Sequence, residues 1–491
     1  MLVNRAQNLV YRQAGALASL ACLALIACLS GAGTVARAQE SNPTSAANPF
    51  FGSVTAQPAS ADILKLSLDE AVSLGFKNNL GLKEAENNEK TLRGEKNEAI
   101  QAFLPSITLT GDTGVYQHNL AALGFGPDTA KKFSSLLPPG TTISEITRDT
   151  LTEGQIHFNQ TLFSGPVLAA FKAAGAAERA AYFAKMTARG EVVQQVASAY
   201  LHVLAAASEV DNAKALESAD QVQFSQAHAA HEAGVAANLD ELRTRVQLQA
   251  QQQAVIAAEN ALDKDLILLK REIGVDPGQK IALTDPAPYS ELAVQTPDEV
   301  RATAYKNRQD YQNLQNQVVA YKAIHLAYRS QRLPTLNFSG YYGVSDVSGV
   351  GAHGTFLAQG TLSVPLFREG KLRGDTESAA AQLTAVHAQL DDLRGHIDQQ
   401  VRSALLDVDA TTKLVEVARS NVELATRALS DETDRVSASV DDNLPLVTAQ
   451  ATLAAAQSNL VESLYQYNLS KLALARAAGI LEQQYRVYLG R

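Results

Sequence analysis

Tryptophan is absent from the 491 residues, and only two methionines and two cysteines occur. Both cysteines, Cys22 and Cys28, lie in the first 38 residues. A chain that loses those residues has no disulfide framework and no thiolate metal site. Charge is scarce as well: 19 % of residues are charged, against about a quarter in ordinary domains. Acids outnumber bases 51 to 42, and the sequence pI of about 5.6 argues against nucleic acid as a partner. Beyond residue 38 no uncharged apolar run is long enough for a membrane-spanning helix. Proline is missing from Val167 to Asp276 and from Lys371 to Leu444, so nothing of that kind interrupts a helix there.

The N-terminus has the three parts of an export signal. Arg5 and Arg12 form a basic start, Ala14–Leu29 a largely apolar run, and Ala36-Arg37-Ala38 an A-x-A site. The expectation is a signal peptide over residues 1–38. The alternative is a lipoprotein signal ending at "LIAC", with Cys28 acylated. A retained anchor is disfavoured because the run is short for a span. The segment holds three arginines and no acid, so cleavage moves the net charge from −9 to −12.

The chain says most things twice. At an offset of 229, "LPSITLTGDTGV" from Leu104 falls on "LPTLNFSGYYGV" from Leu333. Ser67-Leu-Asp-Glu70 falls on Thr296-Pro-Asp-Glu299, and both are capping boxes that start helices. Further on the offset is 205: Gln194-Gln195-Val196 matches Gln399-Gln400-Val401, Asn238-Leu239 matches Asn443-Leu444, and Gly274 matches Gly479. The difference of 24 residues falls in residues 117–149, which read as a long hairpin loop. Each unit reads helix, strand, loop, strand, long helix, turn, helix. The expected division is a leader over 39–66, repeat 1 over 67–275, a linker over 276–296, repeat 2 over 297–480 and a tail over 481–491.

The proline-free runs predict helices of about 65 residues, roughly 100 Å at 1.5 Å per residue. Asn238 and Asn443 are candidate N-caps, and Pro445 suits a first helical turn. A 4-3-4-3 seam runs through Val192, Val196, Ala199, Val203, Ala206, Val210 and Ala213. Its partner runs through Ile397, Val401, Ala404, Val408, Thr411, Val415 and Ala418, which predicts coiled-coil packing.

The strands alternate. Ile107, Leu109 and Val115 oppose Ser106, Thr108, Thr110 and Asp112; Leu336, Phe338, Tyr342 and Val344 oppose Thr335, Asn337, Ser339 and Tyr341. Ile156, Phe158 and Leu162 oppose His157, Asn159 and Thr161, while Phe356, Ala358, Leu362 and Val364 oppose Gln359, Thr361 and Ser363. No charge occurs from Gly154 to Phe171, and only Asp346 between Arg332 and Arg368. One apolar face and one polar, uncharged face suit a transmembrane β-barrel, with Ile107, Leu109, Phe158, Phe338 and Phe356 facing lipid. A small soluble sheet packed on helices is the other reading. Four strands leave open edges, which lipid does not tolerate; three chains would supply twelve strands. The fold class is therefore mainly α with a transmembrane β-barrel part: duplicated helix-strand-strand-helix-helix units, a trimeric twelve-stranded barrel and a long α-helical barrel.

The order of elements, the strand ends "FNQTLFSGP" and "LSVPLFREGK", and the tips "GVAANLDELRTRVQLQ" and "SVDDNLPLVTAQATL" resemble the TolC family of outer-membrane efflux proteins. The resemblance covers residues 67 to 480. It implies a homotrimer in the outer membrane, reaching into the periplasm, that docks to a periplasmic adaptor and an inner-membrane pump. Such a channel serves as a passive exit duct in tripartite efflux or type I secretion. By position, the gate and adaptor tips are Gly234, Val235, Asp240 and Glu241, and Ser439, Val440, Asp441 and Asp442. Ser439 stands where Gly is common, and Pro445 and Thr448 where acids line the constriction of the best-known member. The competing function is a soluble secreted coiled-coil scaffold.

Catalytic and cofactor motifs fail on context. "GVGAHG" (Gly349–Gly354) matches G-x-G-x-x-G but joins two strands and opens no helix. His228 and His231 lack a third metal ligand of matched spacing and read as solvated helix residues. No nucleophile–base pattern, H-E-x-x-H or Walker loop is present. The sequence predicts no enzyme, cofactor or metal.

Overall fold

A computed structural model describes residues 48–54, 58–119, 122, 146–235, 237–285, 290–293, 296–347, 351–437 and 443–490. The expected signal peptide, most of the long loop, and Ser439, Val440, Asp441 and Asp442 lie outside them. The chain divides into two compact units: one within Leu92–Glu178 and Gln317–Ala385, the other within Thr34–Thr91, Arg179–Asn316 and Val386–Arg491.

The elements follow the duplicated order. Repeat 1 contains β1 (Leu64–Leu66), α1 (Leu68–Asn78), α2 (Leu80–Gln101), β2 (Ser106–Asn119), β3 (Ile146–Phe163), α3 (Gly165–Glu232) and α4 (Asn238–Ile273). Next come β4 (Ile281–Leu283), α5 (Pro297–Asn307), α6 (Gln309–Ser330), β5 (Thr335–Val347), β6 (His353–Ser363), α7 (Glu369–Ser437) and α8 (Asn443–Ala477). The helix α9 (Leu481–Tyr488) occupies what the sequence read as a tail. Tyr485 donates to Asp69 at 2.6 Å, and Arg486 pairs with Asp69 at 3.0 Å. Both capping boxes are formed, at Ser67–Glu70 and Thr296–Glu299.

Each entry helix is broken where the sequence reads one continuous segment. The break residues, Asn79 and Arg308, are extended (φ −61, ψ 131 and φ −66, ψ 121). Distant partners hold them there. Asn79 Nδ2 donates to Phe50 O (2.6 Å), and Arg308 Nη1 donates to Gln400 Oε1 (2.6 Å). Arg308 also grips Asp310 through both carboxylate oxygens (3.0 and 2.5 Å).

In the second unit the predicted seam is the core. Val192, Val196, Val203, Val210 and Ala213 are buried, as are Ile397, Val401, Ala404, Val415 and Ala418. The linker between repeats is fastened at two points. Asp285 accepts from Tyr200 Oη (2.8 Å) and from Leu68 N–H (2.7 Å). Ser290 O accepts from Tyr467 Oη (3.0 Å) and from Lys471 Nζ (3.1 Å). Lys471 is wholly buried, and burial lowers its pKa to about 8. The linker also pairs β4 with β1 in parallel, Leu64 opposite Ile281.

In the first unit the four long strands form one antiparallel sheet in the order β2-β3-β5-β6. They are longer than the ten residues expected, at 14, 18, 13 and 11. A register shift between Thr161 and Phe163 sets Phe163 opposite Leu336 and leaves Leu162 without a β5 partner. That bulge interrupts the alternation read from the sequence at Leu162.

Candidate functional site

Two places concentrate unusual chemistry: the faces of the sheet, and the turn between α3 and α4.

The sheet's register brings its apolar residues into rows. Ile107 lies opposite Phe158 and Phe158 opposite Gly340; Leu109 lies opposite Ile156, Ile156 opposite Tyr342 and Tyr342 opposite Phe356. Leu109, Phe356, Val115 and Ile107 are between 67 % and 78 % exposed. Phe158 and Phe338 meet edge-on at 5.7 Å on that same face. The apolar rows end where Thr113 faces Thr152 and Thr152 faces Asp346. On the opposite face Thr108 pairs with His157, and Asp112 with Glu153. Directly opposed carboxylates repel unless water screens them. This sheet therefore has one face fit for an apolar medium and one fit for water.

The α3–α4 turn is built on Gly234, whose φ of +73 is left-handed. Val235 N–H returns to Ala230 O (2.9 Å), closing the end of α3. Val235 is 81 % exposed. Asn238 is not the cap that the sequence suggested. The helix starts at Asn238 itself, Ala237 holds the cap position, and it makes no side-chain bond. Asp240 lies 3.6 Å from Arg243. Glu241 reaches back across the turn. Its carboxylate lies 3.0 Å from His228 Nδ1 and 2.5 Å from His231 Nδ1. A carboxylate only accepts, so both Nδ1 atoms carry the hydrogen. The His228 and His231 bonds hold the Glu241 carboxyl below its ordinary pKa. Phe224 stacks on His228 at 5.9 Å.

The two histidines are therefore not simply solvated helix residues; they clamp one acid. The sequence signal was present in "HAAH" and an acid just past the turn. Reading it required knowing that the hairpin brings position 241 back beside 228 and 231. At the offset of 205, repeat 2 has Thr433, Val436 and Leu446 at these places, so the clamp belongs to the first tip alone. Among the described residues no group of His, Cys, Asp and Glu has metal-holding geometry. Ser439, Val440, Asp441 and Asp442, the second tip, lie outside the described residues.

Glu241→Gln should loosen this turn. Amide exchange over residues 225–245 is expected to quicken while the seam around Val192–Val210 stays protected. Because the folded pKa is depressed, the stabilisation is present above the ordinary carboxylate range and lost as pH falls through the folded value. Exchange mass spectrometry over a descending pH series checks both; unchanged exchange in Glu241→Gln would show that the clamp contributes nothing.

Comparison with known proteins bears on both places. The model of the family described as "Outer membrane efflux protein" matches residues 72–275 and 300–480. The outer membrane protein TolC of Vibrio cholerae is 26 % identical over 396 residues, covering 78 % of this chain and 84 % of that one. The alkaline protease secretion protein AprF of Pseudomonas aeruginosa is 24 % identical over 306 residues; that match spans 60 % of this chain and 62 % of AprF. Among solved structures, a Pseudomonas aeruginosa membrane protein superposes with a TM-score of 0.71 at 18 % identity, covering 84 % of this chain and 93 % of that one. The Campylobacter jejuni CmeC outer membrane channel superposes at 0.69 and 14 % identity, covering 88 % and 92 %.

Proposed function

This chain belongs to the outer membrane efflux protein family, and from that premise we propose that it is a passive exit duct in the outer membrane. The observation that carries the reading is the sheet. It has one exposed apolar face and two unpaired edges, β2 and β6. No helix among the described residues is long and apolar enough to cross a membrane, so strands must do so. Open edges leave backbone groups unpaired in lipid, at several kcal/mol each. Three copies would close the sheet into twelve strands, with the Asp112 and Glu153 face lining a watery lumen. Ile107, Leu109, Phe158, Phe338 and Phe356 then face lipid.

The long helical pairs α3–α4 and α7–α8 would form the periplasmic tube, and their tips the adaptor contact and gate. The relatives support a place beside a periplasmic adaptor and an inner-membrane pump, in tripartite efflux or in type I secretion. No substrate or cofactor chemistry is assigned to the chain, and it performs no reaction in this reading. The soluble coiled-coil scaffold is not favoured, because it leaves the sheet's apolar face uncovered.

At the second tip Asp441 and Asp442 precede Asn443, where α8 begins. In three copies they would set six carboxylates around one opening, and such a ring prefers cations. Glu241 is committed to two histidines and adds little to that ring. Single-channel recording under a KCl gradient tests the duct and the ring together. The expected result is a conducting pore whose cation preference falls in Asp441→Asn/Asp442→Asn. A protein that never conducts sinks the duct; an unchanged reversal potential removes these acids from the pore.

A further inference from the structure

The sheet contains an internal template for a contact that a single copy cannot make. Where hairpin β2–β3 meets hairpin β5–β6, the chain leaving β3 runs beside the chain entering β5. The packing there is tight. Ser164 and Ser330 are each 8 % exposed. A Cβ on Gly165 would stand 2.9 Å from Ser330 Cβ and 3.1 Å from Leu333 Cδ1. Leu333-Pro334 enters β5 as Leu104-Pro105 enters β2. The corresponding second contact would join the exit of β6 to the entry of β2, but those are the two outer edges of the sheet.

Both halves of that missing contact are bare. Leu366 and Phe367, just past β6, are each 93 % exposed, and Leu104 is 50 % exposed. The sequence also differs between the two junctions. Repeat 1 leaves its strand through Ser164-Gly165, whose small residues allow close approach. Repeat 2 leaves through Val364-Pro365-Leu366-Phe367. Pro365 has no N–H to donate to a ladder and ends the strand pairing. Two large apolar side chains follow where the inner junction has almost none. Arg332, beside this exit, is already paired with Glu369 at 2.9 Å within its own chain, so the uncovered surface is the apolar pair.

We propose that Leu366 and Phe367 of one copy pack onto the Leu104-Pro105 entry of the next, closing the base of the shared barrel. This rests on the shared-barrel reading and adds the residues that lock it. The closure is heterologous: the exit patch of one copy meets a different patch, the entry, on its neighbour, which generates a ring. The inner junction closes by backbone approach, and the outer one by a side-chain wedge.

The sequence after Ala38 carries no cysteine and the whole chain no tryptophan, which makes the test clean. Leu104→Cys/Phe367→Cys and Leu104→Cys/Leu366→Cys are expected to give disulfide-linked dimers and trimers on a non-reducing denaturing gel. Each single-cysteine chain should run as a monomer. The mass of the detergent-solubilised protein, measured on the same samples, separates the two levels of the argument. A trimer in which neither pair cross-links overturns the wedge and leaves the barrel standing. A monomer overturns the shared barrel and the wedge with it. Phe367→Trp adds an independent readout. Its fluorescence should be little affected by lipids brominated on their tails; strong quenching would make lipid the occupant and overturn the proposal.

Discussion

Arginine at Ile107 or Phe338 is expected to remove most of the folded, membrane-inserted protein, whereas arginine at Thr108 or Ser339 is expected to be tolerated. The rows of the sheet say where each falls. The apolar face of β5 runs from Leu336 through Phe338, Gly340 and Tyr342 to Val344, five rows spanning about 27 Å of strand at ~3.4 Å per residue. Strand tilt reduces that height to near the apolar band of ~25 Å found in such barrels. Ile107 is opposite Phe158, which is opposite Gly340, and so lies in the third row. Phe338 is one row nearer the helical end. A charge at the bilayer midplane costs on the order of 2–4 kcal/mol and less toward either interface, so Ile107→Arg should be the worse of the two. Thr108 lies opposite His157, His157 opposite Tyr341, and Ser339 is on that same face. A new guanidinium there meets water. Urea titration of the reconstituted protein, read by semi-native gel shift, checks this. Equal losses on both faces would refute the assignment of lipid and lumen.

Gly479→Ala should destabilise the second unit on the order of 2–4 kcal/mol. Gly479 ends α8 in the left-handed region, at φ +74. Alanine there carries ~1–2 kcal/mol of backbone strain. It would also place a Cβ 2.7 Å from Arg308 N and 2.8 Å from Arg308 Cα. That backbone cannot easily retreat, because Arg308 is held by Asp310, Gln400 and the Ala477 carbonyl. Crowding a packed joint adds ~1–3 kcal/mol. Gly234→Ala is the internal control. It has nearly the same φ, +73, but nothing lies within 4 Å of the added carbon. Its cost should be the strain alone, ~1–2 kcal/mol. Thermal melts of both variants separate the two contributions; equal shifts would mean that the contact with Arg308 relaxes freely.

Much of the architecture was legible because it is periodic. Ile107, Leu109 and Phe356 alternate with polar neighbours, so strand geometry alone assigns them one face. The seam from Val192 to Ala213 repeats at coiled-coil spacing and is the core of the second unit. Proline-free runs announced the helices Gly165–Glu232 and Glu369–Ser437. The breaks at Asn79 and Arg308 were not legible, since neither residue is a helix breaker by type.

The sequence by itself determined the duplication, the helix lengths, the coiled-coil seam and the alternation of the strands. Each of these is written at short range, in periods of two or three and a half residues that the backbone imposes. Tertiary structure alone decided what distant residues do to one another. It pairs Leu64 with Ile281, bends the chain at Asn79 and Arg308, and shifts the register at Leu162. It turns Glu241 back onto His228 and His231, and it leaves Leu366 and Phe367 bare at the sheet's edge. No local pattern encodes these outcomes. Each depends on which groups the completed fold brings within a few ångströms, where hydrogen bonds, close packing and exclusion of water take effect.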